Sequence, residues 1–118
     1  MNPLDYSLCQ QTVTVYQKKG EEISRHVAEK SYFSGSVSTP TEPYGKSKEK
    51  KFLLMIPGEE ISLQPGDRIF AGIGPADVDW QTFLPVTVSQ LYEAGSVRAC
   101  RWEGRITHWE AGAERRWQ

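Results

Sequence analysis

Residues 52–73, FLLMIPGEEISLQPGDRIFAGI, decide the fold because they hold the most apolar part of the chain. The stretch opens with five consecutive apolar residues, 52–56, and a Pro-Gly pair ends that run. After a Glu-rich connection, the turn LQPGD at 63–67 leads into a second apolar segment, 68–73. A continuous apolar run bounded by turn residues predicts a strand that is buried on both faces. We therefore expect these two strands to form the centre of the core.

Length and composition predict a single folded domain, residues 1–118, rather than a disordered chain. Of the 118 residues, 38% are hydrophobic and 25% are charged. The 14 basic and 15 acidic residues give a net charge of −1, which argues against a general nucleic-acid binder. Residues 1–11, MNPLDYSLCQQ, lack the basic region of a secretory signal, and no run reaches transmembrane length. We expect a soluble protein that is made in the cytoplasm and has no contact with a membrane.

Alternating polar and apolar residues predict further strands on both sides of this centre. Residues 11–17, QTVTVYQ, alternate with period two and are rich in strand-favouring residue types. Residues 22–29 allow a short helix, but they follow a glycine turn, so a strand is favoured. Residues 83–92, FLPVTVSQLY, are another strand candidate. The count of six to eight short strands predicts a mainly β fold, a small antiparallel β-barrel or sandwich.

The sequence from 97 to 110 predicts a hairpin with a two-residue turn at its Glu-Gly pair. This register places Cys100 opposite Thr107. It also places Arg98 opposite Trp109, within reach of a cation–π contact.

Two polar segments predict exposed, flexible chain and hold the candidate interface residues. Residues 38–51, STPTEPYGKSKEKK, predict a long solvated loop, and a loop of this length also suits an interaction arm that a partner orders. Residues 112–118 predict a flexible tail in which Trp117 has no core to join. The candidate interface residues are Lys46, Lys48, Lys50 and Lys51 in the loop, and Arg115, Arg116 and Trp117 in the tail.

No segment carries a catalytic signature. Cys9 and Cys100 lie outside any metal-binding motif, which indicates free thiols rather than a disulfide. The hairpin brings Cys100 near His108, so a Cys-His nucleophile is a formal alternative, although an alternating strand explains both residues. A metal site built from His26, His108 and Glu110 would not reach the four ligands of a structural zinc site. We therefore expect no catalytic residue, no cofactor and no metal.

Four segments, in order along the chain, resemble small neck proteins of tailed phages and prophages, which are known as minor capsid, head–tail connector or head-closure proteins. Residues 12–27, TVTVYQKKGEEISRHV, resemble their opening strand pair. Residues 52–58, FLLMIPG, and 63–72, LQPGDRIFAG, resemble their central strand and its turn. Residues 104–112, GRITHWEAG, resemble their closing strand, whereas WQTFLP at 80–85 departs from the typical pattern. The specificity of the resemblance comes from the ordered combination.

The resemblance implies a structural role without enzymatic activity. Such proteins are small β-barrels that assemble as homo-oligomeric rings below the portal, extend or close the DNA channel, and dock the tail. The implied partners are a portal (connector) protein and a tail-completion protein. The implied location is the head–tail junction of the virion, reached after assembly in the bacterial host cytoplasm. The isolated chain is expected to be monomeric if the ring needs the portal as a template. The loop 38–51 is expected to line the channel or to enter a neighbouring subunit, with transient contact to packaged DNA.

Two other functions stay open. The first is a soluble β-barrel binding module that recognises a peptide or an oligosaccharide, which a groove formed by Trp80, Trp102 and Trp109 would favour. The second, less favoured, is a hydrolase that uses Cys100 as its nucleophile.

Overall fold

Seven antiparallel strands form one curled sheet in the computed structural model, which describes residues 9–38 and 48–117, with 36–38, 48–50 and 113–117 described by their backbone alone. These residues contain no helix, so the predicted mainly β class is confirmed, and none of their segments is a helix with the length and hydropathy needed to cross a lipid bilayer. The strands are β1 (Gln11–Lys19), β2 (Glu22–Ser38), β3 (Lys48–Pro57), β4 (Arg68–Ala71), β5 (Leu91–Glu93), β6 (Ser96–Trp102) and β7 (Arg105–Trp117).

The sheet order is β5-β4-β1-β2-β3-β7-β6, and β2 joins the two halves of the sheet. Residues 22–31 of β2 pair with β1, and residues 32–38 pair with β3. A strand of 17 residues is long enough to leave one half-sheet and enter the other. The sheet curls into a half-barrel, so that the ring of Tyr92 on β5 lies 5.1 Å from Phe33 and 5.6 Å from Phe52, measured between centroids.

β3 contributes to the main core from one face only. Phe52, Leu54 and Ile56 are buried in the core, whereas Leu53 is 51% exposed. The prediction that residues 52–56 are buried on both faces is therefore wrong. Successive side chains of a strand point to opposite faces, and the outer face of β3 at Leu53 borders an open cavity rather than a second layer.

β1 is instead the strand that is buried on both faces. Its four central residues, 13–16, have no exposed surface. Val13 and Val15 belong to the main core, which also receives Ile69 of β4. Tyr16 belongs to a second cluster, on the opposite face of β1, whose other buried members are Phe83 and Leu91. The sequence alone shows only the alternation of Val with Thr and Tyr, which is typical of a strand with one wet face.

The connection from 72 to 90 provides the layer that covers β1. The Thr14 hydroxyl accepts a hydrogen bond from Gly74 N at 2.9 Å, and the Tyr16 hydroxyl donates to Pro75 O at 2.7 Å. Gly74 has to lack a side chain because a Cβ at this position would collide with the Tyr16 hydroxyl. The backbone of the connection thus replaces water for the two polar groups on the outer face of β1.

Arg68 holds the far part of the same connection. Its Nη1 donates to Trp80 O at 2.5 Å and to Phe83 O at 2.6 Å, and the guanidinium carbon lies 3.8 Å from the centroid of the Trp80 ring. Arg68 is buried, and this burial lowers the pKa of its guanidinium. The hydrogen bonds and the ring contact compensate for the desolvation of the charge.

The predicted strand over 83–92 is wrong except at its end. Leu84 O accepts hydrogen bonds from Thr87 N at 3.0 Å and from Val88 N at 2.8 Å, so this part of the chain forms turns. Pro85 lacks the N–H that a ladder requires. Only Leu91–Glu93 pairs, as β5, with β4.

The predicted loop over 38–51 is too long. Ser38 belongs to β2 and residues 48–51 belong to β3, where Ser38 pairs with Glu49. The remaining part, 39–47, lies outside the described residues, and with it Lys46. Polar residues form strands here because β2 and β7 supply ladder partners on both sides of β3, which composition alone does not reveal.

The predicted tail over 112–118 is wrong for residues 112–117. They form the last part of β7 and pair with β3, from Leu53 opposite Gly112 to Lys48 opposite Trp117. A charged segment at a chain end can thus be strand when a long neighbouring strand offers its backbone groups.

The difference between the two faces of β3 predicts different costs for two neighbouring leucines. Leu54→Ala should lower the free energy of unfolding by about 2–5 kcal/mol, because Leu54 is fully buried. Leu53→Ala should change it by only about 0.5 kcal/mol, the usual range for surface positions. Urea unfolding of both variants measures the two values, and equal losses would show that β3 is buried on both faces.

The contacts of Arg68 predict a local loosening in a conservative variant. Arg68→Lys should lower the free energy of unfolding by about 1–3 kcal/mol, since one ammonium cannot replace both carbonyl contacts and the ring contact. The hydrogen-bonded amides of Phe83 and Val88 should exchange faster with deuterium than in the wild type. Arg105→Lys at the exposed hairpin turn is the control, and unchanged exchange at both amides in Arg68→Lys would refute the role of Arg68.

Candidate functional site

The ladder brings together the two groups of candidate interface residues at one end of the sheet. Lys50 pairs with Arg115, and Lys48 pairs with Trp117. On its other side, Lys50 pairs with Val37 of β2. Residues 36–38, 48–51 and 114–117 form the three-stranded end of β2, β3 and β7. We call this end of the sheet the basic arm.

The basic arm carries a charge opposite to that of the rest of the chain. Residues 48–51 and 114–117 contain five basic and two acidic residues, a net charge of +3. Since the whole chain has a net charge of −1, all other residues together carry −4. The two groups lie more than 60 positions apart in the sequence, so only the register of β3 with β7 reveals this concentration of positive charge.

The three tryptophans expected to form one groove lie in different places. Trp80 packs in the second cluster against Arg68, whereas Trp109 packs against the main core. Trp102 is 44% exposed next to the hairpin turn. These positions do not provide a common groove.

The hairpin of β6 and β7 forms as predicted at its turn but not beyond it. Glu103 and Gly104 both have positive φ, 52° and 80°, and Trp102 pairs with Arg105 across them. These angles are those of a type I′ turn. The register then shifts by one residue, so that Cys100 pairs with His108 rather than with Thr107.

Thr107 is the extra residue of this bulge, and its hydroxyl is used within the hairpin. It donates a hydrogen bond to Cys100 O at 3.2 Å and lies 3.3 Å from Nδ1 of His108. The same shift pairs Arg98 with Glu110 and not with Trp109, so the predicted cation–π contact is replaced by an ion pair of 2.6 Å.

Cys100, His108 and Glu110 meet as a consequence of the bulge. One ligand atom from each of them lies within 4.8 Å of the others. His108 is 1% exposed, and its Nε2 lies 3.1 Å from Oε1 of Glu110, whose Oε2 is paired with Arg98. We call these three residues the Cys-His-Glu cluster.

This arrangement does not favour a Cys-His nucleophile. In a triad, one ring nitrogen of the histidine faces the nucleophile and the other faces the orienting acid. Here Nδ1 faces the hydroxyl of Thr107 and Nε2 faces the carboxylate of Glu110. The acid and the Cys100 thiol would therefore have to share one nitrogen. The other thiol, Cys9, is free and buried, 4.0 Å from the sulfur of Met55, and burial raises its pKa.

The sequence did not predict that these three residues meet. The predicted hairpin placed Cys100 near His108, and Glu110 was considered with His26 and His108 but not with Cys100. The one-residue shift at Thr107 is what aligns them, and a threonine in an alternating strand gives no sign that it will be the bulged residue.

A cavity of about 330 Å³ opens on the same side of the sheet, beside the cluster. It is lined by apolar and small residues of β3, β6 and β7 together with the ion pair: Leu53, Ser96, Val97, Arg98, Glu110, Ala111 and Gly112. Glu110 therefore belongs both to the Cys-His-Glu cluster and to the lining of the cavity.

No family model, no curated protein and no solved structure shows a significant match to this chain. The family expected from the four ordered segments therefore stays a prediction.

The contacts of Glu110 predict a loss of stability in acid. Burial alone would raise the pKa of its carboxyl, but hydrogen bonds from His108 and Arg98 outweigh burial, so the pKa lies below its ordinary value. A carboxyl with a lower pKa in the folded state stabilises the fold above its unfolded pKa of about 4.3. That stabilisation disappears as the pH falls through the folded pKa. The free energy of unfolding should therefore fall more steeply below pH about 4.3 in the wild type than in Glu110→Gln.

Urea unfolding of both proteins between neutral and acidic pH measures this difference. Glu29→Gln, which removes an exposed carboxyl of β2, is the matched control and should follow the wild type. Parallel pH profiles for the wild type and Glu110→Gln would contradict the prediction.

Proposed function

We propose that this chain is a structural protein of the head–tail junction of a tailed phage or prophage. In this role it forms a homo-oligomeric ring in the virion that joins the portal to the tail or closes the DNA channel. Its partners are a portal protein and a tail-completion protein, and it has no catalytic activity. The proposal rests on the ordered resemblance of four segments, and the mainly β fold is compatible with it.

The observation that carries the proposal is the basic arm. Two segments that the sequence predicts separately as interface candidates are paired strands of one structural unit, with Lys50 opposite Arg115. A protein that docks between two larger assemblies needs such a surface on a rigid element. The ladder to β3 provides the rigidity, because Phe52 and Leu54 of the same strand are anchored in the core.

The chemistry of the basic arm suits a surface near a DNA path. Lysine and arginine contact phosphate oxygens without reading the sequence, which is what a channel for passing DNA requires. The net charge of −4 on the rest of the chain limits general binding to nucleic acid. Arg115, Arg116 and Trp117 are also residue types that dominate the energetics of protein interfaces.

The alternative is a soluble module that recognises a peptide or an oligosaccharide. A groove lined by Trp80, Trp102 and Trp109 would favour this alternative. The three side chains lie in different places, so the alternative gains no support from them. The Cys-His hydrolase is likewise not supported, because both ring nitrogens of His108 face other partners than a nucleophile.

Co-expression with the portal protein from the same genome tests the proposal. We expect the chain to co-purify with the portal and to appear as added density on its tail-facing side in electron micrographs, while the isolated chain sediments as a monomer. A chain that never associates with portal or tail-completion proteins, in several buffers and at several stoichiometries, would refute the proposed role.

A pair of double variants tests the part played by the basic arm. Lys50→Glu with Arg115→Glu should weaken association with the portal by about tenfold or more, which corresponds to about 1.4 kcal/mol. Lys18→Glu with Lys19→Glu makes the same change in net charge at the β1–β2 turn, where both lysines are exposed, and should leave association unchanged. Equal losses in the two double variants would show that net charge matters and that the arm does not.

A further inference from the structure

The Cys-His-Glu cluster combines three types of metal ligand on one face of a hairpin. His108 and Glu110 are two positions apart on β7, which puts both side chains on the same face. Cys100 is the cross-strand partner of His108. A thiol, an imidazole and a carboxylate thus converge from two paired strands, with the chosen ligand atoms within 4.8 Å of one another.

The imidazole of His108 is held from both sides. Its Nδ1 lies 3.3 Å from the Thr107 hydroxyl, and its Nε2 lies 3.1 Å from Oε1 of Glu110. A histidine that binds a metal through one ring nitrogen commonly has the other nitrogen held by a neighbour in this way.

We propose that Cys100, His108 and Glu110 bind a zinc-class divalent metal ion through Sγ, Nε2 and Oε1. Bond lengths of about 2.0–2.3 Å place the ligand atoms of a tetrahedral zinc site about 3.3–3.8 Å apart, so the cluster needs only small side-chain adjustments. The thiolate excludes Mg²⁺ and Ca²⁺, which prefer oxygen ligands. Three protein ligands leave the fourth position to water.

The groups around the cluster are those that orient metal ligands. Thr107 holds Nδ1 of His108, and Arg98 holds Oε2 of Glu110 at 2.6 Å, which leaves Oε1 for the ion. The charge of Arg98 opposes a cation, but its side chain is 72% exposed, so water screens the repulsion. A bound ion would tie β6, an edge strand of the sheet, to β7.

The inference is independent of the proposed role at the head–tail junction, and metal titration of the purified full chain tests it. After treatment with a chelator and dialysis, Zn²⁺ is titrated calorimetrically and Co²⁺ is followed by absorption. We expect one ion per chain, a thiolate-to-cobalt charge-transfer band, and a higher Tm with Zn²⁺.

Cys100→Ser should abolish the charge-transfer band and weaken Zn²⁺ binding more than about a hundredfold, because even outer partners of metal ligands contribute about 10–100-fold. Glu110→Gln should weaken binding and keep the band. The matched controls are Cys9→Ser, which removes the other thiol, and His26→Asn, which removes the other histidine. Both should bind as the wild type does, and a band that persists in Cys100→Ser would overturn the proposal.

A measurement on the wild type avoids the risk that a variant fails to fold. In ¹⁵N spectra, addition of Zn²⁺ should shift Nε2 of His108 and leave His26 unchanged. A Nε2 signal of His108 that does not move in the presence of excess Zn²⁺ would show that the imidazole does not bind the ion, and the metal site would be refuted.

Discussion

The burial of β1 on both faces is the constraint on which the rest of the structure depends. A strand with apolar residues on one face and Thr14 and Tyr16 on the other can enter the interior only if those hydroxyl groups keep hydrogen-bond partners. The connection 72–90 supplies these partners from its backbone, at Gly74 and Pro75. A hydroxyl group left without a hydrogen-bond partner in the interior would cost about 1–3 kcal/mol. The connection is therefore an integral second layer of the fold.

The position of the basic arm follows from the same architecture. β2 leaves β1 after residue 31 and continues beside β3, so the half-sheet that carries the arm is aligned by the same strand that pairs with β1. β3 is fixed at one end by its core residues Phe52, Leu54 and Ile56, and its other end pairs with β2 and β7. Charged residues at 48–51 and 114–117 are held in a ladder whose stability comes from the apolar part of the same strands. The basic arm is thus an extension of the core strands.

The sequence predicted the class of fold, the strands β1, β2 and β4, and the turn of the last hairpin. Each of these follows from local residue patterns. It did not predict which strand is covered twice, since the cover over Tyr16 comes from residues around Phe83 that are remote in sequence. The apolar run at 52–56 looked more deeply buried than β1, although Leu53 is half exposed. The pairing of Lys50 with Arg115 was missed for the same reason, because composition describes a segment and not its neighbours.

The bulge at Thr107 had the largest effect on the chemistry of the surface. A register that continued unbroken from the turn would place Cys100 opposite Thr107, and His108 and Cys100 would then not be ladder partners. The extra residue in β7 shifts the register by one position from Cys100 onward. Cys100 then pairs with His108, and Arg98 pairs with Glu110. The Cys-His-Glu cluster and the basic arm lie on the same strand, where four positions separate Glu110 from residue 114, a distance of about 13 Å. This distance is only a little longer than a Debye length of about 8–10 Å, so the charges of the two regions are largely but not fully screened from each other.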